Sequence, residues 1–139
     1  MKVKFEKIHP EVRAPFKATS GAAGFDLVAM RKEALDDTHI KYWTGIAVEI
    51  PQGYVGIVAP RSSVFKTRMI LSNGVGVIDS DYRGGISAVF VRNSRSKEYE
   101  VGDRCCQLLI LPVPEVEFEE CGQLSETERG AGGYGSTGK

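Results

Sequence analysis

Ile46-Ala47-Val48-Glu49-Ile50 and Gln107-Leu108-Leu109-Ile110-Leu111 are the two stretches that decide the fold. The first alternates around Glu49, the period of a half-buried strand; the second is apolar after its opening amide, the pattern of a strand covered on both faces. Outward from these, short β-branched and aromatic runs bounded by Gly, Pro, Asn or Asp recur at Val3–Ile8, Phe25–Met30, Tyr54–Ala59, Met69–Leu71 and Ile86–Arg92. This is an all-β pattern in which two layers of sheet bury both kinds of strand. Ser62–Arg68, after Pro60, lacks a second turn of apolar spacing and reads as one short helical turn.

A chain of 139 residues fits one domain with a core of its own. No repeat and no linker interrupts it before Cys121, which sets the expected body at 1–121 and a tail at 122–139. Lys+Arg and Asp+Glu both number 18, so no global field favours nucleic acid or an anionic membrane, and an anionic ligand must be held by local groups. Met1–Lys7 carries charges where a signal peptide has its apolar stretch, and no run approaches the ~20 apolar residues of a membrane span. The expectation is a soluble, cytoplasmic protein. Cys105, Cys106 and Cys121 form neither a zinc spacing nor a disulfide framework, and His9 and His39 are the only imidazoles.

Five segments carry chemistry-bearing residues, and each has an ordinary reading beside the functional one. Ser20-Gly21-Ala22-Ala23-Gly24-Phe25-Asp26-Leu27 leads small residues into a strand with one carboxylate, a sign of close packing. Ala59-Pro60-Arg61-Ser62-Ser63 ends a strand with an arginine and two hydroxyls, a reasonable anion-binding turn. Asn73–Gly85 places glycines on both sides of an apolar-acidic centre, Val77-Ile78-Asp79-Ser80-Asp81, as in a hairpin whose backbone is open to close approach or as in a plain turn. Spacing does not choose between Asp79 and Asp81, because positions two apart share a strand face. Gly102-Asp103-Arg104 opens the Cys105–Val113 run, in which Gln107 is the one amide and needs a partner in the core or on a ligand.

The last segment, Arg129–Lys139, contains Gly130, Gly132 and Gly135 at GxGxxG spacing, but no strand and helix flank it, so it is not a dinucleotide fingerprint. It has too little apolar surface to order itself and reads either as a disordered tail or as an arm that orders on a nucleotide. Arg129, Ser136 and Thr137 suit phosphate oxygens, and Tyr134 suits stacking on a base.

In this order the five segments resemble the five signature motifs of the trimeric dUTP pyrophosphatase family over nearly the whole chain. The resemblance implies a jelly-roll-like β subunit, a homotrimer, sites shared between subunits, and closure by the C-terminal arm. It implies hydrolysis of dUTP to dUMP and pyrophosphate, which limits uracil incorporation into DNA and supplies dUMP for thymidylate synthesis. Asp79 would be the general base aiming water at the α-phosphorus. Arg61, Ser62, Ser63 and Gln107 would hold phosphates, and Arg129 the γ-phosphate, with Gly135, Ser136 and Thr137 completing the arm.

Asn73, Gly76, Val77 and Ile78 would read uracil, Ser87 would meet the base through its main chain, and Tyr82 would pack under the deoxyribose and exclude a 2′-hydroxyl. Tyr134 would stack over the base. Mg2+ would ride mainly on the triphosphate, without direct protein ligands and with Asp26 at most touching its water shell. No nucleic-acid or membrane partner is implied.

Three features depart from the family pattern: Gly85 for a larger residue, Cys105-Cys106 for an aliphatic-small pair, with an expected sensitivity to oxidation, and Tyr134 for phenylalanine. The rivals are a dCTP deaminase relative, disfavoured by the short length and the terminal arm, and a dUTP-sensing or partner-binding module on the same fold.

Overall fold

The computed structural model describes residues 1–136. The described residues form ten strands: β1 Lys4–Lys7, β2 Phe25–Val28, β3 Arg31–Ala34, β4 His39–Trp43, β5 Ile46–Glu49, β6 Tyr54–Ala59, β7 Ile70–Leu71, β8 Gly76–Ile78, β9 Ser87–Val91 and β10 Arg104–Pro112. The one helical piece among them is a 3-10 turn, Ser62–Lys66, within the expected span. Every strand pair is antiparallel. Two four-stranded sheets, β2-β10-β6-β8 and β3-β4-β9-β7, are accompanied by the pair β1-β5, in keeping with the all-β pattern of the sequence and with the jelly-roll-like subunit that the family resemblance implies. No described helix is long and apolar enough to cross a membrane.

The core lies between the sheets, where Leu27, Val58 and Leu108 meet Ile40, Tyr42, Ala88 and Phe90, with Ile46 and Val48 of β5. Tyr42, Phe90 and Tyr99 pack edge to face with ring centroids 5.6–5.8 Å apart, the geometry their quadrupoles favour. Thr44 is buried without penalty, since its hydroxyl donates to the Ile86 carbonyl at 2.8 Å and ties the start of β9 to β5.

The two deciding strands exchange characters. Ile46, Ala47, Val48 and Ile50 are all buried, so the alternating stretch is the covered one. On β10, Leu109 and Ile110 are half-buried and Leu111 is 45% exposed, so the run expected to be covered on both faces is open on one in the single chain. Two adjacent residues of a strand ordinarily face opposite ways. A shift of register between Arg104 and Cys106 instead buries Cys105 and Cys106 together, with their sulfurs 3.9 Å apart. The sulfur–sulfur contact and burial push the Cys106 thiol well above its ordinary pKa. Both thiols are inaccessible, which corrects the expected sensitivity of this pair to oxidation.

Candidate active site

Strand order assembles the first cluster. Because β10 lies between β2 and β6, Gln107 faces Asp26 on one side and Ala59 on the other, and the chain turns at Pro60 directly into Arg61. Asp26 is 7% exposed, a burial a carboxylate tolerates only when paired. Arg61 donates from Nε to Oδ1 at 2.9 Å, and Arg104 from Nη1 to Oδ2 at 3.0 Å. Arg61 also donates from Nη1 to the Ser63 hydroxyl at 3.3 Å, leaving its Nη2 uncommitted among the described residues.

Gln107 Nε2 donates to the Pro60 carbonyl at 3.0 Å. A methyl group on Gly24 would stand 2.5 Å from Gln107 Oε1, so glycine here lets the amide lie against the β2 backbone. Ser62 is exposed at the start of the 3-10 turn. Asp26, Arg61, Ser63 and Gln107 thus meet in one place, with Ser62 at its rim.

The second cluster is the hairpin. Asn73 is exposed in a turn closed by Gly74 N–H to the Leu71 carbonyl at 3.0 Å, with Gly74 at φ +68°. Gly76, Val77 and Ile78 pair with Val58, Ile57 and Gly56 of β6. Asp79 follows at once and is exposed. Tyr82 folds back so that its hydroxyl donates to the Gly85 carbonyl at 3.4 Å, and a methyl on Gly84 would fall 2.3 Å from that hydroxyl.

A cavity of about 140 Å³ is lined by Val77, Ile78, Asp79, Tyr82, Gly85, Ile86 and Ser87. Asn73 and Gly76 lie outside that lining. Asp79 also borders an open groove of about 1280 Å³ shared with Tyr54, Asp81, Arg83 and Glu115. Asp81 borders the groove alone, a distinction that periodicity does not make.

The two clusters lie toward opposite ends of β6. Ile78, just before Asp79, faces Gly56, whereas Gln107 faces Ala59 at the other end of β6, where the chain turns through Pro60 into Arg61. At ~3.3 Å per residue Gly56 and Ala59 are roughly 10 Å apart along the strand, and the two clusters extend from these opposite ends. Among the described residues no hydrogen bond joins Asp79 to the Arg61 cluster.

Among the described residues, the arm joins neither cluster. From Leu111 to Ser136 every described residue except Gly132 is exposed, and the last backbone bond to the body is Val113 N–H to the Gly53 carbonyl at 2.8 Å. Beyond it the bonds are local: Arg129 Nε to the Gly132 carbonyl at 2.9 Å and Ser136 N–H to the Gly133 carbonyl at 3.0 Å. Tyr134 is fully exposed with φ +49°, beside Gly135 at φ +87°. Thr137 lies outside the described residues.

Arg104 is the residue that sequence reading passed over, since its partner Asp26 becomes visible only once β10 is paired with β2. Among the described residues no group of three or more His, Cys, Asp or Glu could hold a metal ion.

A family model described as dUTPase matches residues 11–138. The deoxyuridine 5'-triphosphate nucleotidohydrolase of Nautilia profundicola is 42% identical, with all of both chains covered. That of Hydrogenobaculum sp. is 40% identical, with 99% of each covered. Among solved structures, the dUTPase of Staphylococcus bacteriophage 80alpha with dUpNHpp superposes with a TM-score of 0.84 over 99% of each chain at 24% identity, a likeness of fold. A mutant of the phage phi11 dUTPase, described as coordinating a structural Mg(II) ion, gives a TM-score of 0.73 at 20% identity, covering 88% of this chain and 98% of its own.

Proposed function

The chain belongs to the dUTPase family, and from that membership we propose that it hydrolyses dUTP to dUMP and pyrophosphate, in sites shared between the subunits of a homotrimer. The observation that supports the shared site is that Asp79 and the Arg61 cluster flank opposite ends of β6, with no hydrogen bond between them among the described residues. General-base catalysis needs hydrogen-bond reach, directly or through one water. Two copies meet that need if the hairpin of one faces the Asp26–Arg61–Gln107 cluster of another, and the exposed β10 face with Leu111 supplies apolar surface for such a meeting.

In this reading the hairpin selects the base and sugar. Uracil offers O4 as acceptor and N3–H as donor, and cytosine reverses both, so fixed backbone groups reject cytosine by leaving buried polar groups unpaired. The hairpin wall at Val77 and Ile78 excludes the thymine methyl, and the Tyr82 ring, folded onto Gly84, packs under the deoxyribose where a 2′-hydroxyl would sit. Asp79, bordering both cavity and groove, accepts the proton of the water that attacks the α-phosphorus in line, and pyrophosphate leaves.

Arg61, Ser62, Ser63 and Gln107 bind the phosphates. A magnesium ion carried on the triphosphate would lie on the phosphate oxygens beside Arg61, since both oxygens of Asp26 are already engaged by guanidinium groups. Such an ion supplies charge neutralisation on the phosphate oxygens. Residues 122–139 act as the arm that closes over the bound nucleotide, with Arg129 on the γ-phosphate and Tyr134 over the base.

Pyrophosphate release from dUTP, dTTP, dCTP and UTP in magnesium buffer tests the reading, alongside Asp79→Asn. Activity is expected with dUTP alone. The variant should lose a factor of about 10²–10⁴ in kcat while still binding the nucleotide. Equal rates for Asp79→Asn and the unaltered protein would overturn the assignment of the base.

A further inference from the structure

The charges around Asp26 do not cancel. One buried carboxylate accepts from two guanidinium groups, Arg61 at 2.9 Å and Arg104 at 3.0 Å, so the trio keeps one positive charge. Asp26 and Arg61 alone would form a neutral pair: the Nε bond fixes the plane of the Arg61 guanidinium, but the same carboxylate cancels its charge. The chain as a whole has a formal net charge of zero, so no distant field makes up for that loss. Arg104 restores the surplus. Its side chain is 41% exposed against 10% for Asp26, and among the described residues only its Nη1 is committed, so part of its charged group stays open to solvent.

We propose that Arg104 is a positioning residue of the triphosphate site, balancing the carboxylate that orients Arg61 so that Arg61 meets the phosphates with its charge uncompensated. Asp26 supplies the geometry and Arg104 the charge. This rests on the reading of Arg61 as a phosphate holder. It differs from a purely anchoring role, in which Arg104 serves only to satisfy the second oxygen of Asp26.

Neutralising Asp26 separates the two roles. Binding of the non-hydrolysable α,β-imido-dUTP and of dUMP is measured with the full chain carrying Arg104→Gln, Arg104→Lys, Asp26→Asn, and Asp26→Asn with Arg104→Gln. Arg104→Gln should weaken the triphosphate analogue about ten- to a hundredfold and raise KM more than it lowers kcat, with a smaller effect on dUMP and a shallower salt dependence. Arg104→Lys, which keeps the charge, should stay within several-fold of the unaltered protein. The double variant restores the surplus charge and should bind the analogue better than Arg104→Gln alone.

Where Arg104→Gln does not fold, because an acid is left half-paired in the core, the Asp26→Asn background still decides. There, loss of Arg104 should weaken the analogue again. Unchanged affinity on adding Arg104→Gln to Asp26→Asn would overturn the proposal, as would a folded Arg104→Gln that binds the analogue like the unaltered protein. Failure of the unaltered protein to bind the analogue or turn over dUTP would instead overturn the functional reading itself, a distinct result.

Discussion

The Asp26 cluster and the Arg129–Ser136 arm are both rich in groups suited to phosphate, yet they are built in opposite ways. The cluster is held by three paired strands, with Asp26, Arg61, Arg104 and Gln107 fixed by bonds between segments far apart in sequence. The arm is held by turns that bond only to their own neighbours, with Tyr134 wholly in solvent. On the proposed function, their ordering entropy is met at different times: on folding for the cluster, and on binding for the arm. In that case the preformed floor would give affinity for any triphosphate, whereas an arm that must order would make the final geometry depend on the whole nucleotide.

The contrast breaks most sharply if the arm is removed. Deletion of Arg129–Lys139 should leave the thermal melting curve unchanged while lowering kcat/KM for dUTP by roughly a hundredfold or more, the scale of one arginine–phosphate contact and one stacked base. A marked fall in melting temperature would mean that the arm is part of the fold.

The converse change disturbs the floor. Gly24→Ala should drive the Gln107 amide from the Pro60 carbonyl, cost about 1–3 kcal/mol of stability, and raise KM for dUTP about tenfold. Calorimetry and steady-state kinetics would check the two effects, and neither should depend on the arm being present.

The smallest effect belongs to a loop outside both regions. The Thr38 N–H and the His39 ring hold the Asp36 carboxyl down to about 2 from 3.8. A carboxyl lowered in the folded state contributes stability above its unfolded pKa and loses it as pH falls through the folded value. The difference in melting temperature between the unaltered protein and Asp36→Asn should therefore shrink as pH falls from 3.8 to about 2, and be absent below that.

Strands with β-branched alternation, such as Tyr54–Ala59 and Ile86–Arg92, were legible in the sequence, because their periodicity reflects a core they help to build. Arg31–Ala34 was not. It is nearly all charged or exposed and becomes a strand only by pairing with His39–Trp43, whose own inward Ile40 and Tyr42 are masked by charged and polar neighbours. The same limit governs the site. The hairpin's glycines announced an open backbone, but the choice between its two acids came from family resemblance, and the convergence of Asp26 with Arg104 came from pairing across 78 positions of chain. The joint burial of Cys105 and Cys106 depends on a local shift of register that no alternation rule foresees.

Sealing two of the three thiols in the core leaves Cys121 as the exposed one, on the segment that leads to the arm. The native chain thus carries a built-in attachment point for a thiol-reactive dye. Fluorescence from that single label would follow the arm in real time as nucleotide is added, without any engineered cysteine.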